Sequence, residues 1–157
     1  MTRLLASEHS SAATLGLTRM DQVGLVYRDI EAAIAMYEPV FGPFELLKYG
    51  EMEWDYYGEP EVSEIYIALG NSGNIEIELI QWVSGKTPHK DFIDTGQEGL
   101  QHIRYRVDDL DAVLQLAEQQ QYQAIWEKRF APGLAAAYLA RDGDPLVLEL
   151  FENTHNA

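Results

Sequence analysis

Two stretches of the chain carry a period of two, with apolar residues at every second position: Ile75-Glu-Ile-Glu-Leu-Ile80 and Leu146-Val-Leu-Glu-Leu-Phe151. That period predicts strands with one face against a core. Each follows a turn signal, Asn71-Ser-Gly-Asn74 or Arg141-Asp-Gly-Asp144. A second pattern also occurs twice. Gln22-Val-Gly-Leu-Val-Tyr-Arg-Asp-Ile-Glu-Ala-Ala-Ile34 aligns without a gap on His102-Ile-Arg-Tyr-Arg-Val-Asp-Asp-Leu-Asp-Ala-Val-Leu114. In each copy a β-rich run meets an aspartate, Asp29 or Asp109, which predicts a helix start because its carboxylate accepts from orphan N–H groups at the positive end of the dipole. The apolar stripes Ile30, Ala33, Ile34, Tyr37 and Leu110, Val113, Leu114, Ala117 have helical spacing. Pro39 and Gly42 are expected to end the first helix.

Strands are further predicted over Phe44 to Met52, Val62 to Leu69, Tyr122 to Phe130 and Leu134 to Ala140, so each half reads β-α-β-β-β. The fold class is α+β: two βαβββ modules, 18–83 and 100–153, forming a curved mixed sheet around a cleft. Residues 1–17 read as a flexible N-terminal tail and 154–157 as a C-terminal one. The linker, 84–99, carries a short helix around His89 to Ile93, with His89 expected in solvent. Trp54, Tyr56 and Tyr57 fall in a loop between two strands, where they would roof the cleft or contact a second copy.

Alternation also decides which polar groups meet. Ile75, Ile77 and Leu79 should face a helix, leaving Glu76 and Glu78 on the other face; Glu149 likewise opposes Leu148 and Leu150. The repeat makes Gln22 equivalent to His102, and Glu78 equivalent to Glu149. A pseudo-twofold between the modules would therefore gather all four in one cleft. Enclosed carboxylates are costly without compensation. A divalent cation supplies it, since two carboxylates, an imidazole and an amide oxygen balance a charge of +2. This donor set suits zinc, nickel, cobalt or manganese, with positions left for substrate. Glu76 has no counterpart in the set.

Charge and composition narrow the possibilities. The chain has no cysteine, which removes thiolate ligands, disulfides and a thiol nucleophile. Its net charge of −15 repels phosphate backbones and anionic lipid, so neither nucleic acid nor a membrane is an expected partner. No apolar run has the length of a membrane span and the start lacks a secretory pattern, so a cytoplasmic protein is expected.

These pieces together resemble the glyoxalase, bleomycin-resistance and extradiol-dioxygenase superfamily, also called vicinal oxygen chelate. Asp21 to Ile30, Ile77 to Ile80, Gly99 to Asp109 and Leu148 to Leu150 carry the resemblance in order, over about Met20 to Glu152. Gln22, Glu78, His102 and Glu149 look like the metal set of zinc glyoxalase I enzymes. Val26, Trp82 and Glu98 stand where that branch holds glutathione with arginine or asparagine, which argues against glutathione. Gly99-Leu-Gln-His102 resembles methylmalonyl-CoA epimerase, as does Val62-Ser-Glu-Ile-Tyr-Ile-Ala68, where Glu64 would be a second base. The resemblance implies a metal-dependent isomerase, epimerase or lyase that removes a proton next to a carbonyl of a small-molecule substrate. Glu149 would act as ligand and base, Glu64 as the opposing acid/base, and Arg104, Trp54 and Tyr66 as substrate-binding residues. A homodimer is also implied. The alternatives are a bleomycin-resistance-like protein that binds small molecules without chemistry and a ring-cleaving dioxygenase. Gln22 stands where the dioxygenase's second histidine would be.

Overall fold

A computed structural model of the chain describes residues 14–155. The elements run β1 (Met20–Val26), α1 (Ile30–Phe41), β2 (Glu45–Lys48), β3 (Met52–Tyr56), β4 (Glu59–Ser72), β5 (Ile75–Ser84), α2 (Pro88–Asp94), β6 (Gly99–Val107), α3 (Leu110–Gln119), β7 (Gln123–Ala131), β8 (Leu134–Arg141) and β9 (Asp144–Asn153). Asp29 and Asp109 cap their helices as expected, accepting from the Ala32 and Ala112 amides. The first helix passes through Pro39 and stops at Phe41, where the Gly42 amide bonds back to Glu38.

Neighbouring strands follow the order β5-β1-β6-β9-β8-β7-β3-β4, and β4 pairs back to β5, so the sheet closes on itself. β1 runs parallel to β5 and β6 parallel to β9, the first and last strands of each module. The modules join through antiparallel β1–β6 and through a short seam where Asp55 opposes Glu127 and Tyr56 opposes Trp126. All of this occurs within one chain. The expected α+β fold of two βαβββ modules is present.

The Phe44 to Met52 strand differs in detail. β2 and β3 lie end to end along β4, with Lys48 opposite Tyr66 and Met52 opposite Ser63, so Tyr49 to Glu51 bulge out between them. Gly50, at φ 79, supplies the left-handed turn. Trp54 and Tyr56 are therefore strand residues, and only Tyr57-Gly58 forms the turn expected over the whole aromatic cluster. Met52, Trp54 and Tyr56 alternate with Glu53 and Asp55, the same period of two as elsewhere.

The helices cover the outside of the barrel. α1 packs Ile30 and Ala33 on Ala68, Ile77 and Leu79; α3 packs Leu110 and Ala117 on Ala137, Leu139, Leu148 and Leu150. Leu15 and Leu17 pack against the α3 cluster, so the end of the expected tail is held on the fold; residues 1–13, the rest of that tail and of the stretch read for a signal, lie outside the described residues. The inner face carries Trp54, Trp126, Ala136 and Tyr138. Among the described residues, no helix is long and apolar enough to cross a membrane.

Candidate metal centre

The register stacks the polar inner-face residues in two rows across the sheet. In one, Glu78 on β5 and His102 on β6 flank Gly24 on β1. In the next, Glu76, Gln22, Arg104, Glu149 and Tyr138 follow one another across β5, β1, β6, β9 and β8. Gly24 explains how a bulky ring fits here: a Cβ at that position would lie 1.9 Å from His102 Cε1.

Three oxygens surround His102 Nε2, at 3.2 Å (Glu149 Oε2), 3.4 Å (Glu78 Oε2) and 3.4 Å (Gln22 Oε1). One ligand atom from each of Glu78, His102 and Glu149 fits within 4.8 Å of the others. Glu149 Oε2 is buried yet has no well-formed hydrogen bond, despite its closeness to the imidazole. Its direction is off that bond, as expected of donors that converge on a common centre rather than on one another.

The surroundings orient each donor. Gln22 Nε2 donates to Glu76 Oε1 at 2.7 Å, which turns its carbonyl oxygen toward His102. Gln101 Oε1 lies 2.9 Å from His102 Nδ1 and accepts its proton, leaving Nε2 as the inward-facing nitrogen. Burial pulls the His102 imidazolium down, but the close carboxylates of Glu149 and Glu78 outweigh it and lift the pKa to about 9. Without a cation the imidazolium supplies the positive charge between the carboxylates. With one, the same atoms form a set of one nitrogen and three oxygens, two of them anionic, which fits a divalent ion.

Glu78 and Glu149 also line a cavity of about 500 Å³ on the inner face, walled by Met52, Trp54, Ile65, Trp126, Tyr138 and Phe151, among others. Arg104 lines it too. Its guanidinium is engaged by both Asp21 oxygens at 2.8 and 3.2 Å and by Glu76 at 3.4 Å, and it lies over the Phe151 ring. Trp54 lines the cavity.

Glu64 and Tyr66 are not brought to the site. Ile65 and Ile67 on the same strand face the cavity, so alternation turns Glu64, Tyr66 and Ala68 outward. Tyr66 packs in the α1 cluster beneath the Lys48 ammonium, 4.4 Å from its ring centroid.

His89 corrects the expectation of a solvated linker residue. It is buried at the start of α2, with Nδ1 2.8 Å from Thr87 Oγ1 and Nε2 3.1 Å from Tyr138 Oη. Burial, helped by the charge of His102, lowers its pKa to about 3, so it is neutral. It lines the cavity, and Tyr138 connects it to the centre by packing 4.9 Å from the His102 ring. Sequence reasoning also passed over Gln101, Gly24 and the orienting role of Glu76. Gln101 is legible beside His102, but Gly24 and Glu76 matter only once register is known.

The sequence model of the Glyoxalase/Bleomycin resistance protein/Dioxygenase superfamily matches residues 21–150. The chain belongs to that superfamily. Among curated proteins, YqjC of Bacillus subtilis (strain 168) is 24% identical over 87% of this superfamily member and 93% of its own length. Among solved structures, methylmalonyl-CoA epimerase from Mycobacterium tuberculosis has a TM-score of 0.62 at 24% identity, covering 93% of this chain and 94% of the epimerase. The protein BH1468 from Bacillus halodurans C-125 scores 0.62 at 23% identity, over 88% and 96%. A variant of Streptomyces coelicolor methylmalonyl-CoA epimerase, bound to 2-nitronate-propionyl-CoA, scores 0.61 at 19% identity, over 89% and 97%. At these identities the likenesses establish the shared fold.

Proposed function

We propose that the protein is a metal-dependent isomerase, epimerase or lyase that abstracts a proton next to a carbonyl, with Gln22, Glu78, His102 and Glu149 as metal ligands. The observation that carries this is the convergence of three oxygens on His102 Nε2, with Gln22 and His102 each oriented by a neighbouring side chain. When bound, a divalent ion at these donors polarises a carbonyl oxygen and favours the enolate over the ketone. Glu149 is ligand and base: its buried Oε2 lacks a well-formed hydrogen bond and it lines the cavity in which substrate would sit. Glu78, its counterpart in the other module, takes the opposing acid/base position in place of the outward-facing Glu64. Acid/base placement of this kind is worth roughly 100- to 10,000-fold in rate. The resemblance in fold to methylmalonyl-CoA epimerases supports the same reaction type, with a small carbonyl compound or acyl thioester as substrate. The proposal extends to a cytoplasmic homodimer, for which exposed Met36 and Val40, one turn apart on α1, supply apolar surface.

The test is α-proton exchange in deuterated water, followed by NMR with zinc-, nickel-, cobalt- or manganese-loaded protein. Exchange that requires the ion and is lost in Glu149→Gln supports the proposal. Its absence with every carbonyl and acyl-thioester substrate tried, in protein shown to hold the metal, refutes it.

A further inference from the structure

The cavity has two parts of different chemistry. Its charged lining residues among those described, Glu78, Arg104 and Glu149, all belong to the two polar rows at the metal centre. His89 beside them is bonded to Thr87 and Tyr138. Every other described lining residue is apolar, aromatic or glycine. Away from the centre the wall therefore offers dispersion contact and no charge.

Two rings of that wall stand in the open. Tyr49 is 64% exposed and Phe130 47%, although both line the cavity. Apolar side chains scattered singly over a surface need no explanation, but two that share the rim of one cavity do. Each is presented by a break in regular pairing. Tyr49 lies in the bulge between β2 and β3, turned by Gly50. Phe130 is the extra residue of a β-bulge, since Arg129 opposes Ala135 and Ala131 opposes Leu134. Bulges of this kind re-aim side chains beside functional sites. The strands also part here. β3 and β7 pair only at Asp55/Glu127 and Tyr56/Trp126. Beyond Asp55, the Lys128 ammonium spans the gap to the Glu53 carbonyl.

We infer that this parted seam is the mouth of the cavity, and that Tyr49 and Phe130 hold an uncharged apolar chain or ring carried by the substrate. The substrate's carbonyl would sit at the metal centre, and its remainder would run along the apolar wall to the rim. A charged remainder is disfavoured, because no described cation lines that stretch and an unpaired charge is costly to enclose. The inference rests on the metal-site assignment and adds the chemistry of the substrate's non-reacting end.

The test uses zinc-loaded protein with methyl propyl, methyl pentyl and methyl heptyl ketone. Levulinate, in which a carboxylate replaces the terminal methyl of methyl propyl ketone, is the charged comparison. Binding is followed by NMR chemical-shift titration. Each pair of added methylenes should tighten binding by about tenfold, the usual gain for burying that much chain. Levulinate should bind at least about tenfold more weakly than methyl propyl ketone. Tyr49→Ser and Phe130→Ser, both at exposed positions, should weaken methyl heptyl ketone about fivefold more than methyl propyl ketone. Affinity independent of chain length, tighter binding of levulinate through Arg104, or variants that change the oligomeric state without changing ketone affinity overturn the inference. Zinc content is measured separately on the same samples. Protein that holds no zinc fails the site assignment, whereas zinc-loaded protein without the chain-length dependence fails this inference.

Discussion

His102 makes metal binding a proton exchange. In the metal-free protein its pKa of about 9 means that it carries a proton at neutral pH, placed between Glu78 and Glu149. A cation must displace that proton to reach Nε2. At pH 7 only ~1% of such histidines are neutral, so apparent affinity should lie about 100-fold below its limiting value. It should fall a further ~10-fold per pH unit below about pH 7 and level off above about pH 9. Zinc affinity from chelator competition across about pH 6–9 reads this slope directly. Calorimetry in buffers of different ionisation heat should show about one proton released per ion at about pH 7. Linkage adds a check with the opposite sign. The folded-state pKa is raised above the usual 6.5, so the stability it contributes is complete below about pH 6.5 and is lost as pH rises through about 9. Metal-free protein should therefore become easier to unfold over that window. Affinity independent of pH between about 6 and 8, with no proton released, would refute the assignment of His102 as a ligand held in this way.

Further outcomes test individual contacts. Glu78→Gln should lower metal affinity about tenfold or more, because a neutral amide replaces an anionic donor; Glu76→Ala, which frees the Gln22 amide to rotate, should cost about tenfold, both read by chelator competition. Gly24→Ala should abolish tight metal binding, since the new Cβ occupies the space of the imidazole, and metal content after dialysis checks it. His89→Phe fills the same space but strands the Thr87 and Tyr138 hydroxyls, so urea denaturation should show a loss of roughly 1–3 kcal/mol.

Most of the fold was legible because its signals are local and repeated. The caps Asp29 and Asp109, the alternation in β5 and β9, and the two turns each specify an element without reference to distant residues. The internal repeat then supplied the one non-local fact needed, that Gln22 pairs in position with His102 and Glu78 with Glu149. Glu64 went astray because alternation separates it from Ile65 and Ile67 without saying which face is the inner one: these isoleucines line the cavity, whereas Ile77 and Leu79 of β5 pack under α1. Trp54 and Tyr56 fall beyond the strand expected to end at Met52, although their alternation with Glu53 and Asp55 continues it. His89 could not be placed from Thr87-Pro-His-Lys90, since its burial depends on Tyr138, 49 residues away on another strand. Gly24, Gln101 and Glu76 act only through neighbours on adjoining strands or beside the ligand, which a list of candidate donors omits.

Metal stoichiometry tests the central claim most directly. Protein purified without a chelating tag should carry one divalent ion per chain by elemental analysis, and His102→Ala and Glu149→Gln, folded by circular dichroism, should carry none after dialysis. Wild-type protein that takes up no ion from excess zinc, nickel, cobalt or manganese, or variants that retain it at full occupancy, would contradict the claim.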